Sequence, residues 1–342
     1  MSDAQLNLID ELRDLHPADL ADRLQRLSVE EARDALGELP PSLAAGALGE
    51  FDRERVPELL AALPVSTLSP LLAELPPNDV ADLVPALDPV NRRRALEGLS
   101  ADHRERVFSL LRHAPDTAGG MMSDRFVILR AEETVHQSQG RLRDQPERRP
   151  EDISYLYVTD SVGSLVGVVP LRDLVFRAPD RLISDIMIRD VKSVRVDTDQ
   201  EEVARQFEHY HYLGLPVLDA VGRLVGVVKA SDALEVAQAE ATEDMQLMVG
   251  LSGEERTLTP WTRSVRMRLP WLFVNLGTAF LAAAVVGLFE STIAKWTALA
   301  IFLPIIAGQG GNAAMQTLTQ RRMHTRSNSA AISSSSSGYA AW

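Results

Sequence analysis

Cysteine is absent from all 342 residues. Its absence excludes disulfides, thiolate metal sites and cysteine nucleophiles. The fold must therefore stand on packing, and the composition fits a reducing compartment. The amino terminus, MSDAQLNLIDELRDL, lacks the apolar run that a cleavable signal needs, and its charges fall in amphipathic order. The soluble part of the chain is expected to remain in the cytosol. Catalytic signatures are missing as well. There is no nucleophile elbow, P-loop, zinc signature or dinucleotide fingerprint, and the histidines are scattered apart from His209 and His211, so an enzyme is not expected. Basic residues are in deficit, 35 against 48 acidic, giving a formal charge of -13. That balance argues against a nucleic-acid surface and allows cation binding.

What is present first is a strict repeat. Leu15, Leu27, Leu39, Phe51, Leu63, Leu75, Leu87, Leu99 and Leu111 recur every twelve residues, and a second apolar residue follows nine positions later in each unit, from Leu24 to Phe108. Pro, Ser or Asp usually follows the first of the pair, which reads as turn, cap and short helix. Such a unit is too short to bury its own apolar stripe, so residues 1–118 are expected to stack into an all-α, solenoid-like domain.

Beyond it, strand-like apolar runs alternate with helical stretches, and these repeat too. SYLYVTDSVGSLVGVVPLRDLV, from Ser154, matches LGLPVLDAVGRLVGVVKASDAL, from Leu213: Asp160, Gly163, Leu165, Gly167 and Asp173 recur as Asp219, Gly222, Leu224, Gly226 and Asp232. Each copy reads as a strand, a D-x-x-G turn with glycine at positive φ, a buried LVGVV strand, and a helix opened by an Asp. Met122 and Met187 begin comparable leader segments. The pattern resembles a tandem pair of CBS domains, an α+β Bateman module over residues 119–184 and 185–246. The resemblance implies a sensor of small ligands that regulates something attached to it.

The attached part is apolar. Leu269 to Phe289 carries no charge over 21 residues, enough to cross roughly 30 Å of hydrocarbon as a helix. A second uncharged stretch runs from Trp296 to Gln320 and turns glycine-rich at AGQGGNAAMQ. Two transmembrane helices are expected over residues 269–319, preceded by a linking helix over 247–268. Arg256, Arg263, Arg266 and Arg268 at the entry place everything before them in the cytosol, in a multi-pass protein of the cell membrane. Residues 320–342 are basic and serine-rich without apolar periodicity, and are expected to be disordered.

Between Lys229 and Arg256 no basic residue occurs, while Asp232, Glu235, Glu240, Glu243, Asp244, Glu254 and Glu255 do. On one helix the first five fall within half the circumference, so like charges lie a turn apart. A hard divalent cation that keeps much of its water relieves that repulsion. A solvated acidic face is the plainer reading for an anonymous helix.

The order of helical repeat, CBS pair, linking helix and membrane helices resembles the MgtE family of magnesium channels. The strings AGGMM (from Ala118), DTDQEEVA (from Asp197), EATED (from Glu240) and PIIAGQGGNAAMQ (from Pro304) support it. The resemblance covers residues 1 to 319, and implies a channel or transporter gated by cytosolic Mg2+. Asp199, Glu201 and Asp232 match family positions that share cations with the linking helix. Asp79 and Asp82 of NDVADLV are candidates for the opposing side, although Asp19 and Asp22 sit in the near-identical HPADLADRL, and either pair reads equally as caps. Asn312 is placed by the resemblance near the family's pore, with Gly311 permitting close approach and Gln316 one turn on; Asn275 and Thr278 are weaker candidates. Nucleotide-binding CBS pairs imply an ATP site at Tyr155, Arg172, Asp173 and Pro216, against the reading of a cap and a surface pair. Homodimerisation is implied by the CBS pair. Family members continue through three more membrane helices, so the chain is expected to be truncated or frame-shifted after Thr319 and unable to transport alone. The alternative is a membrane-tethered CBS signalling module without transport.

Overall fold

The structure, a computed structural model, describes residues 11–52, 55–144, 154–248, 261–296, 301–302 and 304–317. These fall into two compact units, 1–238 and 239–342. The first unit opens with eight short helices: α1 (Pro17–Leu24), α2 (Val29–Glu38), α3 (Pro41–Gly49), α4 (Val56–Ala62), α5 (Val65–Glu74), α6 (Pro77–Leu83), α7 (Pro89–Glu97) and α8 (Ala101–Leu110). Every start except that of α4 keeps the twelve-residue interval. Except at α4, each of these helices is capped by the residue that follows a periodic Leu. Ser28 forms a capping box with Glu31, Asp88 accepts from the amides of Val90 and Asn91, and Ser100 accepts from that of His103. Pro40, Pro64 and Pro76 open α3, α5 and α6 without any side-chain bond. Proline has no amide to leave unsatisfied and its φ is already that of a helix entry.

No helix here exceeds ten residues, too few to be stable alone. Alternate helices therefore stack: α1 on α3, α3 on α5 and α5 on α7 in one row, with α2 on α4 and α6 on α8 in the other. Both periodic positions feed one core, from Leu24 and Leu36 to Leu96 and Leu99. The series ends at Phe108, which is 47% exposed because no further helix of the row covers it.

Two three-stranded sheets follow, β1-β2-β3 and β4-β5-β6. The strands are β1 (Ile128–Arg130), β2 (Tyr155–Thr159), β3 (Leu165–Pro170), β4 (Val194–Arg195), β5 (Gly214–Leu218) and β6 (Leu224–Lys229). Each sheet has one parallel and one antiparallel pair, with a bulge at the same place, Val158/Thr159 and Val217/Leu218. The turns are also alike: Asp160 Oδ1 accepts from Val162 and Ser164, Asp219 Oδ1 from Val221 and Arg223. Gly163 and Gly222 sit at φ 89° and 83°, where a Cβ is strained. The helices are α9 (Ala118–Met121), α10 (Val135–Asp144), α11 (Leu171–Phe176), α12 (Ile183–Ile186), α13 (Gln200–Tyr210) and α14 (Ala230–Met248).

The leaders cross over. Ser123, ahead of the first repeat, pairs with Val227 of the second, and Ile188, ahead of the second, pairs with Val168 of the first. Met122 lies against Gly226 and Met187 against Gly167, in the space a side chain would fill. This exchange explains the glycine inside each LVGVV strand.

In the second unit, α15 (Trp261–Leu288) is long and apolar enough to cross a membrane, none of it buried. Within it, residues 261–268 of the expected linking helix continue into the apolar stretch, while its first two residues, 247 and 248, end α14. The remainder, 249–260, lies outside the described residues. α16 (Glu290–Lys295) follows, and within the expected second span residues 301–302 and 304–317 are helical, while 297–300, 303 and 318–319 lie outside the described residues, as does the 320–342 tail. Among the described residues, α15 alone meets the length and composition of a span.

Replacing Gly226 by Ala should displace the Met122 side chain and cost about 1–3 kcal/mol, measured as a shift in the denaturation midpoint of the whole chain. Shortening Met122 to Ala in the same protein should recover part of the loss, so the two changes should be less than additive.

Candidate functional site

The carboxylates of α6 and α14 meet at one joint in the first unit. α6 is positioned by Pro76 and Pro77, which start it abruptly after the buried Leu75 and leave Asp79 in its first turn. Asn78 Nδ2 donates to Asp79 Oδ1 at 2.7 Å, and Ser123 Oγ donates to Asn78 Oδ1 at 3.5 Å. The Ser123 amide in turn donates to the Val227 carbonyl at 2.9 Å. A polar relay thus runs from α6 to β6. Beside it, Ala81 packs into the apolar cluster that contains Ala230 and Ala233, the first residues of α14.

Asp232 sits in the first turn of α14 and accepts from Ser231 Oγ at 2.8 Å. Burial, and after it the neighbouring charge of Asp82, pushes the Asp79 carboxyl up to about 6, with Asp232 adding to the rise; Lys229 and Arg125 oppose it. Burial also raises Asp232, where Glu235 adds and Ser231 and Lys229 oppose. Desolvation disfavours the ionised form and like charges reinforce it, so both carboxylates are held against their preference. Asp82 and Asp232 thus lie within electrostatic reach of Asp79, and Glu235 within reach of Asp232.

The other acidic candidates lie elsewhere. Asp199 caps α13, accepting from the Glu201 amide at 2.8 Å. It bridges Thr117, beside the α9 turn whose amides at Ala118 and Gly119 donate to Thr198 and Val196. Glu240 and Glu243 belong to the half of α14 in the second unit; the side chain of Asp244 lies outside the described residues. Gly311, Asn312 and Gln316 fall in the helical stretch 304–317. Asn275 and Thr278 lie on α15, with Thr278 Oγ1 donating to the Asn275 carbonyl.

At the nucleotide candidates, Tyr155 opens β2 and Arg172 and Asp173 open α11, tied where the Leu171 amide donates to the Ser154 carbonyl at 3.0 Å. Arg172 is exposed, Asp173 lies 4.0 Å from Arg177, and Pro216 is buried in β5 opposite Val227.

Among the described residues no three histidine or acidic side chains are close enough to cage a metal ion. The donor set at the joint is all carboxylate oxygen, partly stripped of water, which suits a hard divalent cation held through its remaining water shell. Sequence reasoning did not single out Lys229 and Arg125, although Lys229 is the last cation before the acidic run and so marks its border. It also missed Arg106, whose Nε donates to Asp124 Oδ2 and ties α8 to the segment before β1. No pattern in the sequence pairs those two residues.

Residues 15–116 match the MgtE intracellular N domain, and residues 118–180 and 183–239 match the CBS domain. The chain is 38% identical over 231 residues to the magnesium transporter MgtE of Thermus thermophilus, a match covering 65% of this chain and 50% of that protein. It is thus similar to about half the length of that relative. The crystal structure of the cytosolic domain of the Mg2+ channel MgtE in complex with ATP superposes with a TM-score of 0.63 at 38% identity, covering 67% of this chain and 93% of that one. The soluble part of a magnesium transporter superposes equally well, with a TM-score of 0.63 at 31% identity over 70% and 93% of the two chains. These relatives are transporters and channels, not enzymes. Through its helical domain, its paired CBS repeats and its likeness to those cytosolic structures, the chain belongs to the MgtE family of magnesium transporters.

Proposed function

We propose that the first unit is a magnesium sensor that regulates a magnesium-conducting membrane part, and that the joint between α6 and α14 is its sensing site. The observation that supports this most directly is the burial of Asp79 against Asp82 and Asp232, which raises its carboxyl to about 6. Repulsion among these groups favours an open joint; a divalent cation between them turns repulsion into bridging and favours a closed one. A ligand with such differential affinity shifts the population between the two states. Asp199, Glu201, Glu235, Glu240, Glu243 and Asp244 are further cation ligands in this reading, and the closed state shuts a pore to which Gly311, Asn312 and Gln316 contribute. Adenine nucleotide is a second ligand in this reading, held by Tyr155, Arg172, Asp173 and Pro216. It is supported by the ATP named for the solved relative.

The sensor works as a homodimer in this reading. Val175 and Leu234 occupy equivalent positions of the two repeats, 59 residues apart, and are 59% and 60% exposed; Phe176 beside Val175 is 85% exposed. Apolar side chains left exposed at equivalent positions of both repeats suit contact with a second copy of the chain related by two-fold symmetry.

Three outcomes are expected. Limited proteolysis of the detergent-solubilised chain should show residues 114–120 becoming protected as magnesium rises, with a midpoint on the order of 0.1 to 10 mM, typical of weak carboxylate sites that retain water. Sodium at equal concentration should not protect, and Asp79→Asn with Asp232→Asn should abolish the step. A cleavage pattern indifferent to magnesium would exclude the joint as a sensor.

The pH dependence follows from the raised Asp79. A closed joint binds more protons than an open one, so in chelator closure is gained as pH falls through about 6 and lost as pH rises above it. Protection should increase from about pH 7 to pH 5, and Asp79→Asn alone should flatten that profile. Finally, Phe176→Asp should convert a dimer to a monomer in sedimentation velocity, while unchanged sedimentation would place the dimer contact elsewhere.

A further inference from the structure

Lys229 is the last residue of β6, immediately before α14 and two residues past Val227, whose carbonyl accepts from the Ser123 amide while Ser123 Oγ donates to Asn78, the neighbour of Asp79 on α6. Its side chain is half-buried, three residues before Asp232, and its charge opposes the rise of both carboxyls. Among the described residues it forms a direct ion pair with neither. Its position is held by structure independent of any charge: the Lys229 backbone is registered against Gly214 in the antiparallel β5–β6 pair. The joint itself is fastened nearby through Asn78, Ser123 and Val227. The ammonium is therefore carried on a rigid strand end, while Asp79 arrives on a helix of a different domain.

We propose that Lys229 is a resident counter-cation that holds the helical domain partly closed on the second CBS repeat without any bound metal, and so sets the fraction of sensor still closed when magnesium is scarce. The physical basis is that a buried carboxylate group must be offset by positive charge from some source. A divalent ion supplies it in proportion to concentration; an ammonium on β6 supplies it always. Lys229 approaches Asp79 only when α6 lies against α14, so its attraction acts on the closed state and not on the open one, and biases the two-state equilibrium toward closure. Arg125, on the segment between α9 and β1, acts on Asp79 in the same sense, and Lys229 opposes the rise of both Asp79 and Asp232. The proposal rests on the sensing reading above and adds to it a closing force that is independent of metal.

The test is hydrogen exchange across α6 and residues 114–120 of the purified full chain, in chelator and in saturating magnesium. Lys229→Gln should raise the exchange of these segments in chelator by about five- to tenfold, the size expected of one partly screened charge pair. It should leave exchange in saturating magnesium close to that of the unaltered chain. Lys229→Arg should behave as the unaltered chain does, and high salt should bring the unaltered chain in chelator toward Lys229→Gln. Equal exchange of Lys229→Gln and the unaltered chain in chelator would overturn the role of Lys229. So would a Lys229→Arg variant as open as Lys229→Gln, since shape and not charge would then be at issue. An unaltered chain insensitive to magnesium, but opened in chelator by Lys229→Gln, would overturn the sensing reading and leave Lys229 as a structural latch.

Discussion

The arrangement turns on the contact between α6 and the first turn of α14, where carboxylates from two separately folded parts lose water together. Ala81 of α6 joins there an apolar cluster that holds Ala230 and Ala233, and alanines remove little area from water at about 25 cal/mol per Å2. Charge terms of order 1 kcal/mol therefore compete on equal footing with packing at this place, as they do not in the leucine-rich core of the stack. A joint poised in this way responds to whatever cations are near, and this is why the same residues serve both the magnesium reading and the role proposed for Lys229.

The rest of the unit supplies rigid arms for that joint. Twelve-residue stacking gives a domain whose helices each depend on the helix two positions away, so α6 moves with its row and not as a free segment. The CBS pair is rigid for another reason: each leader completes the other repeat, with Met122 over Gly226 and Met187 over Gly167. Neither repeat has a finished edge without its partner. The connection near α9 is fastened by backbone bonds from Ala118 and Gly119 and by the Arg106–Asp124 pair.

Equivalent positions of the two CBS repeats have diverged by context. Asp173 and Asp232 are the same residue of the repeat. Asp173 lies near Arg177 on its own helix, whereas Asp232 lies beside Lys229 and faces the carboxylates of α6, and its charge is disfavoured by burial. Among the described residues the helical domain joins the apolar cluster of the second repeat through Leu110 and Ala81, and there an N-terminal-turn aspartate becomes part of a charged joint.

Much of this was determined locally. The twelve-residue period, the caps that follow each periodic leucine, the D-x-x-G turns and the apolar length of α15 depend on neighbours in sequence, and the sequence alone was enough to read them. The acidic character of α14 was equally plain. Which aspartates would meet was not, because HPADLADRL and NDVADLV are nearly the same string; Asp19 and Asp79 differ only in where the stack places them. The tertiary structure decided that α6, and not α1, lies against α14. It also brought Lys229 and Arg125 within reach of Asp79. Local sequence sets what each segment can be, but the electrostatics of a site depend on which segments exclude water together, and that is a property of the packed chain.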